Sequence, residues 1–261
     1  MSLESPGLKL TRLGSWDNTL FLGAFSAISM FASVRIRTGE HLVTAARRQS
    51  RWLYVSSVIQ AATTLFFVLA LHHTTVANTM VIFATTPAIG ALIAMLAIRE
   101  RTPIRTWLGI AGAIAGIAIV MSGSFGGGRW IGDLFALIAM VGYAANLTIW
   151  RRFRDMPREM VIGLGALGMA LVALPLASFQ GLDARAMAIL ATLGLLTAPV
   201  ARVMLASSTR YLPVSHVGLL TPVETVAATT LAFVLLNEVP PVTLFAGGAL
   251  VLVSLLVGVS G

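Results

Sequence analysis

Cysteine is absent from the 261 residues, which excludes disulfides, thiolate metal sites and cysteine nucleophiles together. Lysine is nearly absent: Lys9 stands alone, so a P-loop, and with it an ATPase of that kind, is excluded. Charge is scarce, at 11% of residues against the ~25% of a soluble domain. The polar first fifteen residues show no cleavable signal peptide. His72 and His73 form an adjacent pair without further ligands, too little for a zinc site. Apolar residues fill the space these absences leave. They make up 57% of the chain, in several runs of ~20 residues, each long enough to span a hydrocarbon core of ~30 Å. The net charge of +8 comes from arginines set between those runs, which reads as topology rather than a nucleic-acid surface.

Nine apolar spans are expected, at 18–34, 52–71, 78–98, 106–123, 131–150, 160–179, 186–206, 214–236 and 241–258, called A to I. Alternate connections carry unequal charge. One set holds thirteen arginines: Arg35, Arg37, Arg47, Arg48 and Arg51, then Arg99, Arg101 and Arg105, then Arg151, Arg152, Arg154 and Arg158, then Arg210. The other holds two, Arg129 and Arg185. The bias places the first set and the carboxyl end in the cytoplasm, and the amino end outside.

Residues 76–123 align without gaps on 214–261, a shift of 138. The matches include the residues that punctuate a helical hairpin: Glu100 with Glu238, Pro103 with Pro241, and Gly109 with Gly247. Because C–D and H–I are separated by an odd number of spans, the two hairpins insert upside down relative to each other. Inverted repeats are a common plan of secondary transporters, with a site near the midplane where the halves meet. The second unit has five spans and the first four, so a lead helix paired with E is expected before residue 18 and is not visible. The expected division is residues 1–123 as first repeat, 124–130 as linker and 131–261 as second repeat.

Helix C with Pro87, followed by Glu100, Pro103, Gly109 and Gly116, resembles the EamA-type repeat of the drug/metabolite transporter superfamily. So does the segment from Glu224 to Glu238, with its following Val-Pro and Gly247. The resemblance implies an all-α polytopic membrane protein. It would be an inverted-repeat helix bundle with nine transmembrane helices here and ten, five plus five, in the family plan. It also implies a central cavity lined by the lead helix together with B, C, E, G and H. The arginine often found early in the family's second helix has no counterpart in A.

Glu224 draws first attention. It lies about eleven residues into H, ~16 Å deep at 1.5 Å per residue. A carboxylate at that depth is costly and faces protein or a water-filled cavity. It reads either as a proton-coupling or substrate-amine site, or as a polar anchor fixing H in the bundle. Thr86 is its repeat partner at matching depth. Gln60 and Tyr143, with Thr85 and Thr86, could form a polar ring around a small ligand. The alternative for each is an interhelical hydrogen bond, worth only ~0.6 kcal/mol on average. Arg202, after Pro199, is expected to snorkel to the inner interface. Its alternative is to meet a substrate carboxylate near Asn146 and His216, on a helix kinked at Pro199. Glu100 and Glu238 read as turn scaffold, and Asp133, beside Arg129 and Trp130, as the cap of E. Gly112 and Gly116 present a small face for packing within the bundle or for a dimer contact. Gly126 to Gly128 is a flexible turn.

The functional expectation is a secondary active transporter of small organic metabolites such as amino acids, export being the favoured direction. It would work by alternating access about a midplane cavity. The alternatives are a truncated or non-transporting membrane subunit that needs another chain, and a membrane-embedded enzyme, for which no reactive cluster occurs at helical spacing. Expected partners are a small-molecule substrate, the lipid bilayer, coupling protons and a second copy in a homodimer, with no nucleic acid, metal or cofactor. The expected location is a bacterial-type inner membrane, multi-pass.

Overall fold

The computed structural model describes residues 3–39, 41–47, 49–98, 104–125, 129–211, 220–237 and 242–259. Among them every regular element is a helix. A short α1 (Glu4–Leu10) precedes α2 (Ser15–Thr38), which is span A, and a small α3 (Leu42–Arg47) follows it. Span B is α4 (Arg51–His73), and span C divides into α5 (Val76–Ala84) and α6 (Thr86–Ile98). D is α7 (Ile104–Phe125), E is α8 (Trp130–Arg152), and F is α9 (Arg158–Ala173) with a 3₁₀ turn at Leu174–Leu176. G is α10 (Ala184–Thr192), a π turn (Leu193–Thr197) and α11 (Ala198–Ser208). H and I are α12 (Leu220–Leu236) and α13 (Val242–Val259). Six of these stretches are long and apolar enough to cross a membrane. Within the described residues, those in D, H and I are shorter apolar helices.

Two prolines set the breaks. Pro87 has no N–H for the carbonyl of Phe83. The hydroxyl of Thr86 donates to that carbonyl at 2.5 Å, and the hydroxyl of Thr85 donates to Ile82 O at 2.6 Å. Span C is therefore one continuous span, Val76–Ala97, interrupted at Thr85 into two helical segments, a break that hydropathy does not register. Pro199 likewise leaves the carbonyl of Leu195 open. The chain widens into the π turn before it, and Ser29 of α2 donates to Leu195 O across 2.6 Å. Ser29→Ala should lower stability by about 1 kcal/mol, since it orphans one carbonyl. A fall in the thermal unfolding midpoint in detergent checks this, and an unchanged midpoint would mean that the carbonyl finds another donor.

The main core gathers α2, α4, α8 and α9, with α10 and α11 against α2 and α9. Small residues let these helices approach closely. A methyl on Gly165 of α9 would lie 2.8 Å from the Cβ of Gln60, so the absence of a side chain there is what admits α4 at that level. Among the described residues, the connections after α2, α8 and α11 meet at one end, where Arg37 pairs with Glu159 and Arg151 Nη1 donates to Thr209 O at 3.3 Å.

At the opposite end, Asp133 departs from its expected role. Arg129 occupies the N-cap position of α8 and makes no side-chain cap bond, while Asp133 sits a turn inside, buried. It accepts from Thr74 Oγ1 (2.7 Å) and Asn78 Nδ2 (3.4 Å), joining α8 to the corner between α4 and α5. His72 sets its ring nitrogens against the carbonyls of Val68 (2.9 Å) and Leu13 (3.2 Å).

α7 and α13 pack on each other along their length. Gly112 faces Ser254, Gly116 faces Val251 and Gly247, and Val120 faces Gly247, so the partners descend along one helix as they rise along the other. These two helices match under the 138-residue shift and run antiparallel, as an inverted repeat requires. The small face of Gly112 and Gly116 is filled inside the chain. Glu100, Glu238 and the Gly126–Gly128 turn lie outside the described residues.

The amino-terminal stretch also departs from expectation. Residues 4–10, too polar and short to read as a span, form α1 inside the bundle, with Glu4, Ser5 and Leu8 at 0% exposure. α1 packs against α12, α10 and α4. Lys9 Nζ donates to Thr74 O at 3.0 Å, and Asn18 Nδ2 to Leu8 O at 3.1 Å, tying its far end to the α4–α5 corner and to α2.

Candidate functional site

The helical repeat puts Gln60, Thr63, Thr64 and Phe67 on one face of α4, three, four and seven residues from the first. That face turns towards Tyr143 and Trp150 of α8, Phe83 at the end of α5, Ala201, Arg202 and Leu205 of α11, and Glu224 of α12, and together these residues enclose a cavity. The contributing helices are B, C, E, G and H. The break at Pro87 ends α5 beside the cavity, and the π turn before Pro199 sets the phase in which α11 presents Arg202.

A hydrogen-bond chain fixes the polar wall. Trp150 Nε1 donates to Ser56 Oγ (2.9 Å), Ser56 Oγ to Asn146 Oδ1 (2.8 Å), and Asn146 Nδ2 to Gln60 Oε1 (3.2 Å). Gln60 Nε2 then donates to Thr64 Oγ1 at 3.1 Å. The amide of Gln60 is thereby held in one orientation. Thr63 Oγ1 has no hydrogen-bond partner among the described residues. Below this wall, Arg158 Nη2 donates to Trp150 O at 2.6 Å and its guanidinium lies over the indole ring, 5.9 Å from the centroid.

Arg202 does not snorkel. It is 6% exposed, and its Nη2 donates to Glu4 Oε1 of α1 at 2.5 Å. The expectation failed because the partner lies 198 residues away, on an element the hydropathy profile does not reveal. Arg202 Nε and Glu4 Oε2 make no further hydrogen bond among the described residues. Tyr143 lies in the joint field of Glu224, Arg202 and Glu4. The helix carrying Glu224 is anchored to the first repeat by the next residue, where Thr225 Oγ1 donates to Met80 O at 2.9 Å.

Of the residues singled out from sequence, Gln60, Tyr143, Arg202 and Glu224 line the cavity. Asn146 stands behind Gln60 and orients it. Thr86 is buried with its hydroxyl on the Phe83 carbonyl and is not in the wall, and Thr85 is spent in the same way. His216 lies outside the described residues. Thr63 and Thr64 were missed, although spacing from Gln60 carries the signal. Trp150, seven residues beyond Tyr143, could have been found the same way.

The cavity is narrow, with about 20 Å³ open to the centres of water-sized spheres, room for one or two waters. Its chemistry combines a guanidinium, a carboxylate, an oriented amide, a free hydroxyl and aromatic walls. Such a set can hold a small solute carrying both charges once the space widens.

The sequence model of the EamA-like transporter family matches residues 8–122 and again residues 130–259. A crystal structure of a protein is similar in fold, with a TM-score of 0.68 at 20% identity, covering 99% of this chain and 93% of that one. No curated protein matches the chain in sequence.

Proposed function

The chain belongs to the EamA-like transporter family and is an integral multi-pass membrane protein, and from that premise we propose that it is a secondary active carrier of small organic metabolites, amino acids among them. The observation that carries the reading is that a guanidinium, Arg202, and a carboxylate, Glu224, line one cavity that also draws Gln60, Thr63 and Phe83 from the first repeat. A solute carboxylate would meet Arg202, its ammonium Glu224, and its body the space between Phe67, Phe83 and Tyr143. Loading a solute larger than one or two waters would widen this cavity by parting the repeats. The arginine-rich end is placed in the cytoplasm of a bacterial-type inner membrane.

Glu224 is assigned the coupling proton as well as the ammonium. It shares the cavity with Arg202 and Tyr143 and is within the field of Glu4. A group that alternates between a proton and a solute couples the two flows, whereas a permanently neutral amide cannot. Proteoliposomes offered a mixed pool of amino acids and amines test both statements. The wild type should accumulate a member of the pool in response to a proton gradient. Glu224→Gln should keep exchange of the solute within about tenfold but lose accumulation and pH dependence. Gradient-driven accumulation by Glu224→Gln removes the coupling role, and no transport of any member removes the carrier reading.

A further inference from the structure

Arg202 is already occupied. Its partner, Glu4, belongs to a seven-residue helix that no long apolar run supports, and both side chains are buried, Arg202's at the cavity wall. Taking the pair apart without replacement would leave a charge uncompensated in a dry site, a cost of several kcal/mol. Another carboxylate could take Glu4's place at no such cost. Arg202 Nε, still unpaired among the described residues, offers that newcomer a second donor in the planar geometry guanidinium–carboxylate pairs favour. α1 also has somewhere to go. An open apolar groove of about 370 Å³ runs beside it, lined by Leu3, by Pro6 and Leu10 of α1 and by Ala188 and Thr192 of α10, while Gly7 itself is packed against Leu193.

Resting on the carrier reading above, the geometry points to Glu4 as an internal competitor for Arg202, displaced by the carboxylate of the transported solute as α1 shifts into its groove. The substrate class is thereby narrowed to carboxylate-bearing solutes. A neutral or purely cationic solute has nothing to give Arg202 in exchange and leaves the pair closed. Glu4 sets affinity as well, since the solute must outcompete it, and water entering the widened cavity receives the released carboxylate.

The absence of cysteine makes the shift observable. Ser5 is fully buried beside Met80, its hydroxyl 3.8 Å from the sulfur. In a Ser5→Cys chain reconstituted in liposomes, a membrane-permeant maleimide should label the thiol slowly at rest. Labelling should be at least about threefold faster with an amino-acid pool, and no faster with the corresponding amino-acid amides. Labelling that ignores the amino acids, or responds equally to the amides, overturns the competitor role. Uptake measured on the same liposomes separates the two readings, because uptake with unresponsive labelling leaves the carrier standing without the competitor. A second variant reads the energetics. Glu4→Gln should lower the half-saturating concentration for amino acids by about tenfold, the gain expected when a competing closed state is removed. Amides should be unaffected, and weaker or unchanged amino-acid binding would again overturn the role.

Discussion

Replacing Arg202 with Gln should cost about 3–5 kcal/mol of stability, the penalty for leaving a buried carboxylate without its partner. Glu4 has no exposed surface, it lies on a helix packed against α10 and α12, and Glu224 and Tyr143 are the other ionisable groups within its field. No water shell is at hand to take over from the guanidinium. The double variant Glu4→Gln/Arg202→Gln should recover most of that loss, because two neutral amides can bond to each other and neither carries a desolvated charge. Uptake of carboxylate solutes should fail in both, since each lacks the cation. Thermal unfolding in detergent micelles, beside liposome uptake, measures the two properties separately. A single variant as stable as the wild type would mean that Glu4 is neutral or reaches solvent, and the ion pair would then have to be given up.

Gly116→Leu should damage the fold strongly, away from the cavity. A Cβ at this position would lie 2.8 Å from the carbonyl oxygen of Gly247 and 2.6 Å from Val251, so the obstacle is partly backbone and cannot rotate away. Overpacking in a close-fitted interior costs about 1–3 kcal/mol, and this contact belongs at the upper end because α7 and α13 must separate along their whole interface. Gly112 is a gentler case. Its neighbour is the side chain of Ser254, so Gly112→Ala should destabilise, and Gly112→Ala/Ser254→Gly should restore most of the loss by moving the methyl group across the interface. Failure of that rescue would show that α7 is held by something other than the fit of its small face.

Hydropathy and arginine placement were enough to locate a helix in every one of the nine stretches, because lipid enforces length and apolarity on anything that spans it. What they could not reveal was where the backbone gives way. The split of span C depends on the donor that Pro87 lacks and on two threonine hydroxyls that replace it, an effect with no hydropathic signature. α1 was invisible for the opposite reason: Glu4, Ser5 and Lys9 make it polar, and only contacts with distant residues bury it. Within the cavity, depth along each span was sufficient to pick out Gln60, Tyr143, Arg202 and Glu224. Depth alone could not say which way Thr86 faces, nor that Arg202 would turn inward to a carboxylate near the start of the chain. Asp133 was misread because its place near the start of a helix suggests a cap, while its real partners, Thr74 and Asn78, lie on another helix.

The embrace of α7 and α13 also carries a timetable. The two helices are separated by more than a hundred residues of chain, the whole of α8 to α12. At roughly 5–20 residues per second, the small face of α7 enters the bilayer on the order of ten seconds before its partner has been made. Through that interval α7 has its earlier neighbours α5 and α6, while the face of Gly112 and Gly116 waits without the helix that later covers it. Any lipid that binds this face too well would delay assembly without touching the finished protein.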